Sequence, residues 1–160
     1  MGTRTMATLH LMVGLPCSGK TTLAKKLEIE QNALRLTVDE WHVPLFGQDA
    51  RDPRHDGRHS QIEAMLWDVA RRALELGVNV VLDFGLWARE EREDFRLRAK
   101  QLGASSEVHF LDASTDELLR RLAIRNAQPS QKAFHISEEQ MVPWIAFFQR
   151  PTPDEQVRRD

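Results

Sequence analysis

The residues best suited to chemistry lie near the amino terminus, in the stretch Gly14-Leu15-Pro16-Cys17-Ser18-Gly19-Lys20-Thr21. This stretch fits the pattern G-x-x-x-x-G-K-[ST] of a phosphate-binding loop, also called the P-loop or Walker A motif. The glycines allow successive backbone N–H groups to face an anion, and the helix that follows adds the positive end of its dipole. In this pattern Lys20 reaches the β- and γ-phosphates of a nucleotide, and the hydroxyl of Thr21 binds Mg²⁺.

The residues on either side of the motif predict the strand and the helix that such a loop requires. Residues 7–13 are typical of a strand with an apolar end, and the helix that follows is predicted to bury Leu23, Ala24 and Leu27. The alternative, a glycine-rich turn with a surface lysine, does not explain these flanking elements. We therefore predict nucleotide contacts along the whole loop, from Gly14, Pro16, Cys17, Ser18, Gly19, Lys20, Thr21 and Thr22.

Two carboxylates follow predicted strands, where open α/β sheets place their ligands. Asp39 follows a short strand over 33–37 and is the candidate general base, which takes a proton from an acceptor hydroxyl. An equal alternative is that Asp39 caps the next short helix. Asp83 ends the apolar strand 78–83 in the Walker B pattern, and we predict that it holds Mg²⁺.

Paired arginines lie on a later helix, which begins at the capping box Ser114-Thr115-Asp116-Glu117. Arg121 and Arg125 are one turn apart and share a face. Phosphoryl transfer needs fixed positive charge near the γ-phosphate, and the planar guanidinium supplies it. The region 120–136 is therefore predicted to be a lid, with a basic surface stripe as the alternative.

The segment 43–59 is rich in turn-forming and charged residues and is predicted to be an acceptor-binding loop. Within it, Arg51, Arg54 and Arg58 are candidates to hold an anionic acceptor. An amphipathic helix is predicted from Ser60. Its predicted buried stripe consists of Ile62, Leu66, Val69, Ala73 and Leu76.

The second half of the chain predicts a charged helix over 88–102, a strand over 107–111 and a helix from Ser137. Arg89 and Arg92, in the first turn of the charged helix, either contact the acceptor or phosphate or are solvated. The polar tail from residue 151 predicts no fifth strand. The core positions predicted for the last helix are Met141, Trp144, Ile145 and Phe148.

Length and composition predict one domain over residues 1–160, with 41% hydrophobic and 29% charged residues. A net charge of −2 gives no indication of a nucleic-acid or membrane partner. The amino terminus lacks the apolar core of a signal peptide, and a single cysteine fits a reducing cytosol, so we predict a cytoplasmic protein. The sequence leaves open whether the chain is a monomer or a homodimer.

Alternating strands and helices predict an α/β fold with a parallel sheet, at whose carboxyl edge the loop, both acids and the arginine helix meet. The chain resembles the small P-loop kinases in the order of these motifs along the sequence. It also shares with them a motif near the carboxyl terminus, Pro151…Asp154-Glu155. These include polynucleotide kinase, chloramphenicol phosphotransferase, zeta toxin and gluconate kinase. The chain is most similar to a bacterial group of predicted kinases labelled as an AAA-type ATP-binding domain.

The resemblance implies a three-layer P-loop sandwich of four strands, or five, in the order 2-3-1-4(-5). It implies transfer from ATP with Mg²⁺ to a hydroxyl of a small-molecule or nucleoside-type acceptor, with Asp39 as base and Arg121 or Arg125 as lid arginine. His42 stands where polynucleotide kinase has arginine, which disfavours a nucleic-acid acceptor but leaves it open.

Two further hypotheses concern the nucleotide site itself. An ATP-binding switch that acts through a partner would need the phosphate loop but no acceptor base. A GTPase is disfavoured because no N-K-x-D sequence occurs. Cys17 lies beside a helix amino terminus and Lys20, an environment that lowers a thiol pKa, so Cys17 is either a reactive thiol or an inert loop position.

Overall fold

A computed structural model of the chain describes residues 6–128 and 134–160. Four strands of the described residues form one parallel sheet in the order β2-β3-β1-β4, which confirms the predicted α/β fold and strand order. The strands are β1 (Thr8–Val13), β2 (Leu34–Thr37), β3 (Val80–Gly85) and β4 (Ser105–Phe110). The helices are α1 (Lys20–Glu30), α2 (Val38–Phe46), α3 (His55–Glu75), α4 (Arg89–Gln101), α5 (Thr115–Ala127) and α6 (Glu138–Phe147), followed by a short 3₁₀ turn over Pro153–Gln156.

Helices cover both faces of the sheet, because its central strands are apolar on both sides. Every residue of β1 is buried. Its alternate residues Leu9, Leu11 and Val13 pack with α3 and α4, whereas Met12 faces α1 together with Val81. This two-sided burial is characteristic of a central parallel strand and holds the carboxyl ends of β1 and β3 at one rigid edge.

The segment between β2 and α3 differs from its prediction. The loop expected over 43–59 is confined to residues 47–54, because α2 extends to Phe46 and α3 already begins at His55. Gly57 lies inside α3, where neighbouring turns and tertiary contacts outweigh its low helix propensity.

The buried stripe of α3 also differs from its prediction. Ile62 and Leu66 are buried as predicted, but Val69 and Leu76 are exposed. Ala70 and Leu74 take their places in the core, because a helix that lies across a twisted sheet rotates its buried face along its length.

The carboxyl-terminal tail is held by a buried ion pair rather than by a fifth strand. Arg92 and Glu155 are fully buried, and Arg92 Nε donates to Glu155 Oε1 at 2.8 Å. Arg92 Nη1 also donates to the carbonyl of Leu86 at 2.9 Å, so neither a solvated nor a phosphate-binding role fits this residue. Beside β4 the tail adds a single antiparallel bridge, between Ser106 and Arg159.

Arg89 lies on the surface next to this ion pair. It donates to Thr152 and Asp154 of the tail, at 3.1 and 3.0 Å. Its predicted contact with acceptor or phosphate is therefore replaced by a contact between α4 and the tail. Within the described ranges, no helix combines the length and the apolar character needed to cross a bilayer.

Candidate active site at the phosphate-binding loop

The loop between β1 and α1 folds tightly around its own backbone. A Cβ atom on Gly14 would lie 2.5 Å from Ser18 Oγ and 3.3 Å from Lys20 Cγ, so any larger residue there would displace side chains of the loop. Gly19, with φ of +99°, adopts the left-handed conformation that glycine reaches without strain. The N–H of Gly14 donates to the carbonyl of Gly85 at 3.0 Å, which ties the loop to the end of β3.

The amino terminus of α1 has the features of an anion site. Its cap residue Gly19 offers no side chain, and its first turn carries no acidic residue. The first N–H groups of a helix have no partner within the helix, and the dipole favours negative charge at this end. Lys20 is the first residue of α1, and its Cε would lie 3.6 Å from a Cβ placed on Gly85. The loop, this helix end and the lysine chain therefore converge at the end of β3.

Asp83 is a buried carboxylate with one oxygen satisfied and one oxygen free. Thr21 Oγ1 donates to Asp83 Oδ2 at 2.8 Å, and Thr37 Oγ1 donates to the same oxygen at 3.0 Å. Oδ1 is buried and has no hydrogen-bond partner among the described residues. An unpartnered carboxylate oxygen beside a hydroxyl, in a site with only oxygen donors, suits a hard cation such as Mg²⁺. The residues predicted to bind the metal therefore fit it chemically.

Thr37 is a residue that the sequence interpretation missed. It ends β2 directly opposite Asp83 in the parallel register, so its hydroxyl reaches the carboxylate. Arg35 Nη1 in turn donates to Thr37 Oγ1 at 2.6 Å. The only available signal was its position at the end of a strand before an acidic residue, and the pairing of β2 with β3 was needed to interpret it.

Asp39 lies in the first turn of α2, at the carboxyl end of β2. Burial raises the pKa of its carboxyl, while the positive charges of Lys20 and Arg125 oppose the rise and the negative charge of Asp83 adds to it. The alternative role as a helix cap is not seen, since the cap residue of α2 is Thr37 and no side-chain cap bond forms. A partly buried carboxyl whose pKa lies above its ordinary value is suited to take up a proton.

The arginines of α5 reach the phosphate loop at Cys17. Arg121 Nη1 donates to the Cys17 carbonyl at 3.1 Å, and Arg125 Nη1 lies 3.8 Å from the Cys17 sulfur. Arg121 is also held by Glu117, whose pKa the hydrogen bonds from Arg120 and Arg121 lower to about 2. Arg120 points away from the loop and pairs with Glu117 alone in the described contacts. Residues 129–133 of the predicted lid lie outside the described part of the chain.

Cys17 has φ of +68°, a value that non-glycine residues rarely adopt. Its carbonyl accepts from Arg121 and its sulfur lies near Arg125, while Leu15 of the loop packs with Leu118 and Leu122 of α5. Thiol reactivity at this position stays a prediction.

Three histidines from two helices stack beside Asp39. The ring centroid of His42 lies 4.7 Å from that of His55 and 5.8 Å from that of His59, and the ring of Phe134 packs edge-on against His42 at 4.9 Å. The Nδ1 atoms of all three imidazoles are buried and lack a partner within the described residues. The charge of Asp39 favours the protonated form of both His55 and His59, so the cluster and the candidate base interact electrostatically.

The protonation of these histidines follows from their surroundings. Burial lowers the pKa of His42 to about 4 and also lowers that of His55. Burial opposes the charged form of His59 as well, but its ion pair with Glu63, at 3.1 Å, raises the pKa above its ordinary value. At neutral pH His42 and His55 are therefore uncharged and can each donate or accept a hydrogen bond.

The arginines predicted to hold an anionic acceptor do not converge on Asp39. Arg54 and Arg58 both bind Asp52, and the guanidinium of Arg58 lies over the ring of Phe46 at 4.4 Å. Arg51 Nη2 donates weakly to Ser137 Oγ at 3.4 Å. Arg51 also lines a cavity of about 320 Å³ in which none of the predicted phosphate-site residues takes part.

Comparison with solved structures shows a shared fold at low sequence identity. A "putative kinase" from Chloroflexus aurantiacus is 19% identical, with a TM-score of 0.74 over 93% of this chain and 84% of that one. A gluconokinase from Sinorhizobium meliloti is 15% identical, with a TM-score of 0.61 over 96% and 81%. A chain of the Pnkp1/Rnl/Hen1 complex is 22% identical, with a TM-score of 0.63. The match covers 75% of this chain but only 40% of that longer chain.

A comparison with curated protein sequences finds no significant match. The sequence does match the AAA domain family over residues 9–151, which is most of the chain. This range includes the phosphate loop, both acids and the arginines of α5. The chain therefore belongs to the AAA domain family of P-loop proteins, and its fold is that of the small P-loop kinases.

Proposed function

We propose that the protein is an ATP- and Mg²⁺-dependent phosphotransferase that moves the γ-phosphate to a hydroxyl of a small-molecule or nucleoside-type acceptor. The observation that carries this proposal is the placement of Asp39, a partly buried carboxyl on which the charges of Lys20, Asp83 and Arg125 all act. A protein that only binds ATP needs the phosphate cradle but no base beside it, and one that hydrolyses ATP needs a residue that orients water rather than an acceptor pocket.

The chain supplies positive charge to the transferring group from two sides. The N–H groups of the loop and Lys20 approach from α1, and Arg121 and Arg125 approach from α5. Thr21 and Asp83 would hold Mg²⁺, which when bound supplies further positive charge to the phosphate oxygens. Transfer then depends mainly on positioning and on electrostatic stabilisation of the charge that develops.

Asp39 accepts the proton of the acceptor hydroxyl as the oxygen attacks. Burial favours the protonated carboxyl, while Lys20, His59 and Arg125 favour the carboxylate. The net effect raises the pKa of Asp39 and makes it more basic than an exposed aspartate, as a general base requires.

The acceptor side favours a neutral, hydroxyl-rich compound. His42, His55 and His59 have buried Nδ1 atoms without a partner among the described residues, which suits them to hydrogen bonds with hydroxyl groups of an acceptor that enters between the rings, and two of the rings are uncharged at neutral pH. Sugars and related polyols match this chemistry better than a phosphorylated acceptor does. The fold shared with a gluconokinase supports a hydroxyl-rich acceptor but not its neutrality, since gluconate is an anion.

The test is a screen of sugars, polyols, nucleosides and hydroxyl-bearing antibiotics for release of ADP above the background with water alone. For an active compound, Asp39→Asn should lower kcat by about 100-fold or more and leave the Kd for MgATP nearly unchanged. The matched control is Asp94→Asn, which removes an exposed carboxylate paired with Arg98 on α4 and should leave kcat unaltered. Unchanged transfer in Asp39→Asn would refute the base assignment, and ATP binding without any active hydroxyl compound would favour a switch protein.

A further inference from the structure

A second group of chemically active side chains lies on the sheet, away from the phosphate loop. His10 in β1 pairs in register with Glu107 of β4, and His109 follows two residues along β4. Side chains two residues apart on a strand share a face, so all three project from the same side of the sheet. His10 precedes Gly14 by four residues, which is about 13 Å along an extended strand.

The three side chains direct one donor atom each to a common point. His10 Nδ1 lies 2.9 Å from His109 Nε2 and 3.3 Å from Glu107 Oε2. The remaining edge, from His109 Nε2 to Glu107 Oε2, measures 3.7 Å. Ligands about 2.0–2.1 Å from a tetrahedral ion are separated by roughly 3.3–3.4 Å, and the three distances lie on either side of this value.

We propose that His10, Glu107 and His109 form a binding site for a divalent transition-metal ion of the zinc class. Two imidazoles and one carboxylate are a donor set that suits zinc and its neighbours, whereas Mg²⁺ and Ca²⁺ prefer oxygen ligands alone. This chemistry separates the site from the oxygen-only pair Thr21 and Asp83. Within the described residues, no other group of three such side chains brings its donor atoms this close together.

Neighbouring residues orient the ligands. The second oxygen of Glu107, Oε1, accepts from Arg158 Nη1 at 3.2 Å, and Arg158 Nη2 lies 3.3 Å from Thr8 Oγ1. The carboxylate is thereby fixed with Oε2 turned to the imidazoles, as an outer-shell partner does at a metal centre.

The site is rigid yet open to an incoming ion. His10 is 2% exposed and sits on a fully buried strand, so its position is fixed. The side chains of Glu107 and His109 are 29% and 23% exposed, which provides a path from solvent. Three protein ligands leave the fourth position of a tetrahedral ion to water.

The experiment titrates the metal-free full chain with Zn²⁺ by calorimetry, and with Co²⁺ by absorption, in the presence of excess Mg²⁺ to occupy the oxygen site. One equivalent should bind, the Co²⁺ complex should show the intense visible bands of a tetrahedral site, and Zn²⁺ should raise the Tm. Glu107→Gln and His109→Gln should each weaken binding by at least about 10-fold and abolish the rise in Tm. Both positions are partly exposed, so these variants should fold, which circular dichroism would verify.

The matched control is His135→Gln, which removes an exposed histidine outside the group and should bind Zn²⁺ as the wild type does. His55→Gln tests whether the ion instead goes to the histidines beside Asp39. The proposal is overturned if no saturable binding occurs, if His109→Gln binds as tightly as wild type, or if His55→Gln alone removes the binding. In each of these cases His10 and His109 form only a hydrogen-bonded pair.

Discussion

Replacement of Arg92 by methionine should produce a large and specific loss of stability. The substitution removes both hydrogen bonds to the Glu155 carboxylate, at 2.8 and 3.3 Å, and the bonds to the carbonyls of Leu86 and Trp87. Both members of the pair are completely buried, so the variant leaves a carboxylate in the core whose remaining cationic neighbour is Arg89, with Nη1 at 3.9 Å from Oε2. Breaking a buried pair in this way typically costs about 3–5 kcal/mol.

This loss is measurable by urea unfolding and by calorimetry. For a chain of this size a loss of about 1 kcal/mol lowers Tm by roughly 2–4 °C, so Arg92→Met should lower it by about 6–20 °C. Arg89→Met is the control on the same helix. Arg89 pairs with Asp154, and the two side chains are 47% and 63% exposed. Its Nη1 lies 3.9 Å from Glu155 Oε2 but makes no hydrogen bond to it in the described contacts, so the free energy of unfolding should fall by less than about 1 kcal/mol.

Two further measurements distinguish the effect of the unpaired Glu155 carboxylate from that of a packing defect. In the wild type, burial raises the pKa of Glu155, but the hydrogen bonds from Arg92 and Thr152 more than offset this and lower it overall. Without Arg92 the pKa should rise, so the deficit of Arg92→Met should be smaller at pH 5 than at pH 8. Arg92→Met combined with Glu155→Gln should be more stable than Arg92→Met alone. Equal losses for Arg92→Met and Arg89→Met, or a deficit independent of pH, would refute this reasoning.

Three other predictions concern the phosphate site. Because burial raises the pKa of Asp39 and the base must be deprotonated, kcat/KM should rise with pH through a value above the ordinary aspartate range, and a profile flat down to pH 4 would contradict the role. Gly14→Ala forces a contact of 2.5 Å with Ser18 Oγ and should weaken ATP binding at least 10-fold by calorimetry. Gly57→Ala meets no atom within 4 Å inside α3, and it should retain affinity and gain about 0.5–1 kcal/mol of stability. If Cys17 is a reactive thiol, a maleimide should inactivate the protein, ATP should protect it, and Cys17→Ser should resist; equal labelling with and without ATP would show an inert position.

Much of the fold was predictable because its signals are local. The phosphate motif occupies eight consecutive residues, and the apolar runs of β1 and β3 by themselves predict that these strands are buried. Alternation of strands with helices predicts parallel strands joined by crossovers, and the sheet is parallel. The start of α3 was less predictable. Gly57 and the charged residues around it favoured a loop up to residue 59, whereas the helix begins at His55.

The sequence by itself determined the phosphate loop, the alternation of elements and the acids at the strand ends, because these depend on residues adjacent in the chain. Only the tertiary structure decided the partners of those residues. Thr37 meets Asp83 across 46 positions, His42 meets the rings of His55 and Phe134, and Arg92 meets Glu155 across 63 positions. The partner of such a side chain cannot be predicted from a local sequence pattern, because strand register and the packing of helices on the sheet determine it.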